Sequence, residues 1–133
     1  MGNHKREFSM GNKQPVQDDR ELIQAAYRAF NARDIDAVLA LMHSNVDWPN
    51  GMEGGRVHGH AEVRDYWLRQ WKILDPHVEP IGFTDVGDGQ TIVDVRQVVR
   101  DRSGNLLLDR TVQHVYSIRH RLIERMEIRE ETD

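Results

Sequence analysis

Residues 18–48, DDRELIQAAYRAFNARDIDAVLALMHSNVDW, decide the fold class. Leu22, Ile23, Ala26, Tyr27 and Phe30 recur at helical spacing, which puts an apolar stripe on one side of a first helix. Asp18 with Glu21 has the form of a capping box, with Asp in place of the usual Ser or Thr, so the helix is expected to start there. Asn31-Ala32-Arg33-Asp34 breaks it. Asp34 can cap a second helix whose apolar face is Ile35, Val38, Leu39 and Met42. Val46-Asp47-Trp48 then reads as a short strand stopped by Pro49.

Downstream, Asn50 to Gly55 is a loop by composition, and it is not a phosphate cradle because no Gly-Lys-Ser/Thr follows. Gly59 opens a third helix carrying Val63, Tyr66, Trp67, Gln70, Trp71 and Leu74 on one side, with Pro76 ending it. Strand signals fill the rest: Val78 to Val86, Thr91 to Asp101, Leu106 to Ile118 and Leu122 to Arg129. Gly87-Asp88-Gly89 and Arg102-Ser103-Gly104-Asn105 supply turns between them. Helices segregated from an antiparallel meander make the class α+β.

A chain of 133 residues is one domain, long enough for a real core. The formal net charge is −4, and basic residues are interleaved with acidic ones. Without a basic stripe carrying aromatics, nucleic acid is not an expected partner. The absence of cysteine removes disulfides, thiolate chemistry and Cys-ligated metals. No apolar run is long enough to span a bilayer, so no membrane is expected. Residues 1–17 are polar and lack an apolar signal core. They read as a disordered tail, residues 18–133 as the domain, and the protein as cytoplasmic.

The order of elements, with Ala29-Phe30-Asn31-Ala32-Arg33-Asp34-Ile35-Asp36 and Val46-Asp47-Trp48-Pro49, resembles the nuclear-transport-factor-2-like superfamily and its SnoaL-like branch. Gly59 to Trp67 resembles the opening of that family's third helix, and Val115 to Ile118 with Leu122-Ile123 its last hairpin. The resemblance implies a cone-shaped barrel: a strongly curved, mixed but mainly antiparallel sheet wrapped around three helices, with an internal pocket. It does not imply one activity, since isomerases, cyclases, dehydratases, epoxide hydrolases and non-catalytic proteins share the fold.

By this resemblance the strand positions facing the pocket are Val93, Val95, Gln97 and Val99, then Thr111, Gln113 and Val115, then Ile123, Arg125 and Glu127. The outward set would include Val98, Val112, His114 and Tyr116, an apolar patch through which family members commonly form homodimers. The apolar pattern of the last strand favours the opposite phase, with Leu122, Met126 and Ile128 inside and both charges on the surface.

The chemistry of a ketosteroid isomerase needs a base beside a carbonyl and hydrogen-bond donors for the enolate. The resemblance places Trp48, Ala26 and Gln113 at those three positions, so that activity is not implied. An epoxide-hydrolase arrangement is matched only in part: Glu127 fits its acid, while its partner positions hold Val95 and Gln97. His58 and His60 have a metal-ligand spacing that needs a third and fourth ligand, for which Asp47 or Glu53 could serve; ordinary loop and helix-start histidines are the expected reading, and no metal is expected. His114 is an acid–base candidate in its own right.

Two functional readings stand at this point. In the first, the domain binds and turns over a small, partly apolar organic molecule by cofactor-free acid–base chemistry. Glu127 or Asp47 would then be the base, Gln113 and Arg125 would orient an oxygen, and Ala26, Trp48, Tyr66, Trp67, Val95 and Gln97 would line the site. In the second, it is a non-catalytic dimeric interaction or ligand-sensing module.

Overall fold

A computed structural model describes residues 6–51 and 53–130, with side chains from residue 19 onward. Three helices, α1 (Arg6–Asn31), α2 (Ile35–Ala40) and α3 (Gly59–Ile73), pack against one six-stranded sheet. Its strands are β1 (Met42–Pro49), β2 (Arg56–His58), β3 (Leu74–Gly87), β4 (Gln90–Asp101), β5 (Leu106–Arg119) and β6 (Leu122–Glu130). The order is β2-β1-β6-β5-β4-β3, with β1 parallel to β6 and all other pairs antiparallel. The sheet is mixed and open, and the expected α+β class stands.

Several local readings carry through to the structure. The Asp34 side chain caps α2 by accepting from the Ala37 amide at 3.2 Å. Asp88 and Gly89 both take left-handed backbone angles in the two-residue β3–β4 turn, as a primed hairpin turn requires. His120 and Arg121 do the same between β5 and β6. Helix α1 differs from expectation at its start. Its backbone is already helical at Arg6, so Asp18 is not a boundary of the helix. The expected tail therefore overlaps the helix from Arg6 on, while residues 1–5 lie outside the described residues. Met42 begins β1 instead of closing α2, and Pro76 lies within edge strand β3, where a missing amide costs no ladder bond on the open side.

The helix break at Asn31 to Asp34 is also a fastener. The Asn31 amide donates to the Val78 carbonyl at 2.8 Å and accepts from the Val78 amide at 3.0 Å, pairing a free backbone position of β3 as another strand would. Arg33 donates to Asp75 at 2.5 Å and to the Pro76 carbonyl at 2.7 Å, and its guanidinium lies over the Trp71 ring.

The facing of β5 and β6 corrects the sequence expectation. Val93 of β4 stands opposite His114, Val95 opposite Val112 and Gln97 opposite Arg110. Opposed residues share a face, so the inward β5 set is Val112, His114 and Tyr116, all buried, and Thr111, Gln113 and Val115 face outward. The pairing continues as His114 opposite Ile128 and Tyr116 opposite Met126. A bulge at Glu124 breaks strict alternation, so that Ile123 and Met126 are both buried although three residues apart. Arg125 and Glu127 thereby lie on the outer face, and Val112, His114 and Tyr116 cannot form the expected dimer patch.

Removing the Asn31 fastener tests its weight. Asn31→Ala would leave a part-buried amide and carbonyl of Val78 without partners, and chemical denaturation should show a loss of about 1–3 kcal/mol.

Candidate functional site

Between the helices and the sheet lies a cavity of about 140 Å³. Helix α1 contributes Ala26, Tyr27 and Phe30, and α3 contributes Tyr66 and Trp67. Trp48 of β1, Gln97 of β4, His114 and Tyr116 of β5, and Met126 of β6 complete most of the wall. The aromatic rings support one another at their edges: Trp48 meets Trp67 at 5.6 Å and 88°, and Phe30 meets Trp67 at 5.3 Å and 74°.

A buried polar centre stands in this largely apolar wall. The Tyr27 hydroxyl and His114 Nδ1 lie 2.7 Å apart, both buried, with their rings stacked at 5.9 Å. Tyr116 meets Tyr27 edge-on at 6.1 Å. Burial strips the His114 imidazolium of water and pushes its pKa down to about 4. Burial also raises Tyr27 well above its ordinary value, with Tyr116 adding to the effect, and raises Tyr116 too. All three groups are therefore neutral at pH 7. A neutral imidazole has one donor and one acceptor nitrogen, so the Tyr27–His114 bond fixes the tautomer by choosing which partner donates. If Nδ1 carries the proton, it donates to the Tyr27 oxygen. The Tyr27 O–H then faces the Tyr116 hydroxyl, from which a ligand oxygen would draw it, and Nε2 keeps a basic lone pair.

The loop from Asn50 to Gly55 borders the cavity through Gly51. Glu53 holds it in place, accepting from Arg69 at 2.9 Å, from the Asn50 side chain at 3.0 Å and from Gln70 at 3.3 Å. The Arg69 and Asn50 hydrogen bonds draw the Glu53 carboxyl down to about 2.

The expected acids lie elsewhere. Asp47, Arg56, Arg125 and Glu127 form one ion network on the outer face. Arg56 donates to Asp47 at 2.6 Å, Arg125 bridges Asp47 and Glu127, and His58 Nε2 is 3.3 Å from Asp47. Partial burial opposes the Asp47 charge, but the Arg56 hydrogen bond and the charges of Arg56, Arg125 and His58 hold its pKa below the ordinary value. Gln113, also outward, donates to Asp94 at 3.1 Å. The structure thus places Ala26, Trp48, Tyr66, Trp67 and Gln97 at the cavity. Val95 is fully buried in the core beneath it, and Asp47, Gln113, Arg125 and Glu127 lie outside it. His60 hydrogen-bonds the Met42 carbonyl at 3.0 Å. Among the described residues no group of three or more His, Cys, Asp or Glu side chains could hold a metal ion.

The residues that sequence reasoning passed over are Tyr27 and His114 as a pair. The signal was present: Leu108, Val112, Tyr116 and Ile118 share one parity in β5, while Asp109, Thr111, Gln113 and Ser117 share the other.

The SnoaL-like domain family matches residues 23–126, from within α1 to the middle of β6. This chain belongs to that family. Solved structures with the same fold include TerC, co-crystallized with polyporic acid, at 26% identity and a TM-score of 0.75, covering 86% of this chain and 92% of that one. A putative polyketide cyclase from Xanthomonas campestris pv. campestris is 22% identical with a TM-score of 0.75, over 86% and 90% of the two chains. An LEH-like epoxide hydrolase of M. tuberculosis is 14% identical with a TM-score of 0.73, over 86% and 84%. No curated protein matches the chain. No described helix is long and apolar enough to cross a membrane.

Two stability measurements follow from the electrostatics. The His114 pKa is lower folded than unfolded, so the unfolded state binds the proton first and stability falls as pH drops from about 6.5 towards about 4. Denaturant titrations should show a loss of about 2 kcal/mol between pH 7 and 4.5, and His114→Gln should remove that slope. The Asp47 and Glu53 contributions begin to fall only as the pH enters the ordinary carboxylate range, at the lower edge of this window. Glu127→Gln should change stability by no more than about 0.5 kcal/mol, because the Arg125 pair is half-exposed.

Proposed function

We propose that this SnoaL-like protein binds a small, partly apolar organic molecule in the cavity and turns it over by cofactor-free acid–base chemistry of the isomerase, cyclase, dehydratase or hydrolase type. His114 replaces Glu127 and Asp47 as the base in this reading, because those acids lie on the other side of the sheet. The supporting observation is the neutral Tyr27–His114 pair held at 2.7 Å in an aromatic-walled cavity. The ligands and reactions named for TerC, the putative cyclase and the epoxide hydrolase support small organic substrates of this kind.

The chemistry needs a base that takes a proton beside a carbonyl, and a donor for the oxygen that becomes anionic. His114 Nε2 takes the carbon-bound proton, and the electron pair moves to the carbonyl oxygen. Tyr27 O–H donates to that oxygen, and the imidazolium returns the proton to carbon. An imidazolium is costly in this cavity alone, but the enolate formed with it supplies the opposite charge. A base of pKa ~4.6 supports enolisation where oxyanion donors are preorganised, so the lowered His114 pKa is no obstacle.

Hydrogen–deuterium exchange tests this without knowledge of the natural substrate. In D₂O, 2-acetylnaphthalene should exchange its methyl protons faster with the protein than in buffer. His114→Phe should reduce the enzyme-dependent rate about 100-fold, and Tyr27→Phe about 10-fold or more. Bound probe with exchange no faster than buffer would refute catalysis and leave the ligand-sensing module.

A further inference from the structure

Among the described residues lining the cavity, Arg110 alone carries a formal charge, since His114 is neutral. It lies on β5 with the same parity as His114, four residues away, or ~13 Å along the strand. Its ladder partner, Gln97, also lines the cavity, so a cation and an amide stand together at one end and the Tyr27–His114 pair lies at the other. Between them the wall is apolar and aromatic. Arg110 is 43% exposed, and its ion-pair partner among the described residues, Glu130, is 72% exposed and joined at 3.1 Å. Such a pair is weak and easily exchanged for another carboxylate. A guanidinium offers a planar fork that suits a carboxylate or a similar oxyanion.

We infer that the ligand of this cavity is an amphipathic anion: an aromatic or otherwise flat apolar body, a carbonyl-type oxygen at the Tyr27–His114 end, and an acidic oxygen group at the Arg110–Gln97 end. This rests on the small-molecule reading above and adds Arg110 to it as the residue that selects charge. Neutral analogues of the same shape fill the apolar body of the site but leave Arg110 to Glu130.

The test uses 6-acetyl-2-naphthoate and its uncharged counterpart 6-acetyl-2-naphthamide, with affinity read from quenching of the cavity tryptophans Trp48 and Trp67. The carboxylate should bind about 10-fold more tightly than the amide. Arg110→Gln should bring the ratio to about one, and Glu130→Gln should tighten carboxylate binding about 2-fold by freeing Arg110. Equal binding of both probes, or a preference that survives Arg110→Gln, would overturn the charge-selection inference and leave the small-molecule reading standing. Binding of neither would overturn both.

Discussion

The pairing of Val93 with His114 across β4 and β5 is the constraint on which the molecule's chemistry depends. It fixes the parity of β5 against a strand whose inward face, Val93, Val95 and Val99, is buried and unambiguous. A slip of one residue would exchange every β5 side chain between faces. Thr111, Gln113 and Val115 would then enter the cavity, while Val112, His114 and Tyr116 would be stranded in water. Burying the second set is favoured by hydrophobic transfer, and it brings an imidazole within 2.7 Å of a phenol that can satisfy it. The same pairing extends to β6 through His114 opposite Ile128, so one register choice sets two strands.

Two chemically different centres result, separated by the thickness of the sheet. Inside, desolvation dominates: it keeps His114, Tyr27 and Tyr116 neutral and makes hydrogen bonds, not charges, the means of handling a ligand. Outside, charges stay paired and partly wet, with Arg125 and Arg56 holding Asp47. That arrangement ties β1, β2 and β6 together at a sheet edge. Arg110 belongs to neither group. It stands where the cavity meets solvent, near enough to the apolar wall to act on what enters.

The fold was readable because its signals are local. The apolar stripe of α1, the Asp34 cap and the Asp88-Gly89 turn each act over a few residues and do not depend on distant pairing. The facing of β5 and β6 was not secured, because it depends on register between strands. Family resemblance placed Gln113, Arg125 and Glu127 inward. The alternation Leu108, Val112, Tyr116, Ile118 pointed to the other phase, as did Met126 with Ile128. The bulge at Glu124 hid the conflict: Ile123 is inward as the resemblance expects, Met126 is inward as the apolar pattern expects, and strict alternation from Ile123 carries Arg125 inward. Val95 and Gln97 share the inward face because β4 contains no such break before them, although only Gln97 reaches the cavity wall. Ala26 and Tyr27 share the apolar stripe of α1, only ~100° apart as adjacent helical positions, and both reach the cavity.

The central claim is that His114 is a buried, neutral imidazole facing the cavity, and its own titration addresses this most directly. With ¹⁵N-labelled protein, the two ring nitrogens of His114 should keep the unequal shifts of a single neutral tautomer from pH 8 down to pH 5, with protonation only near pH 4. A midpoint near 6.5, with the rapid tautomer averaging of a solvent-exposed ring, would place His114 on the outer face and contradict the register, the cavity centre and the chemistry assigned to it.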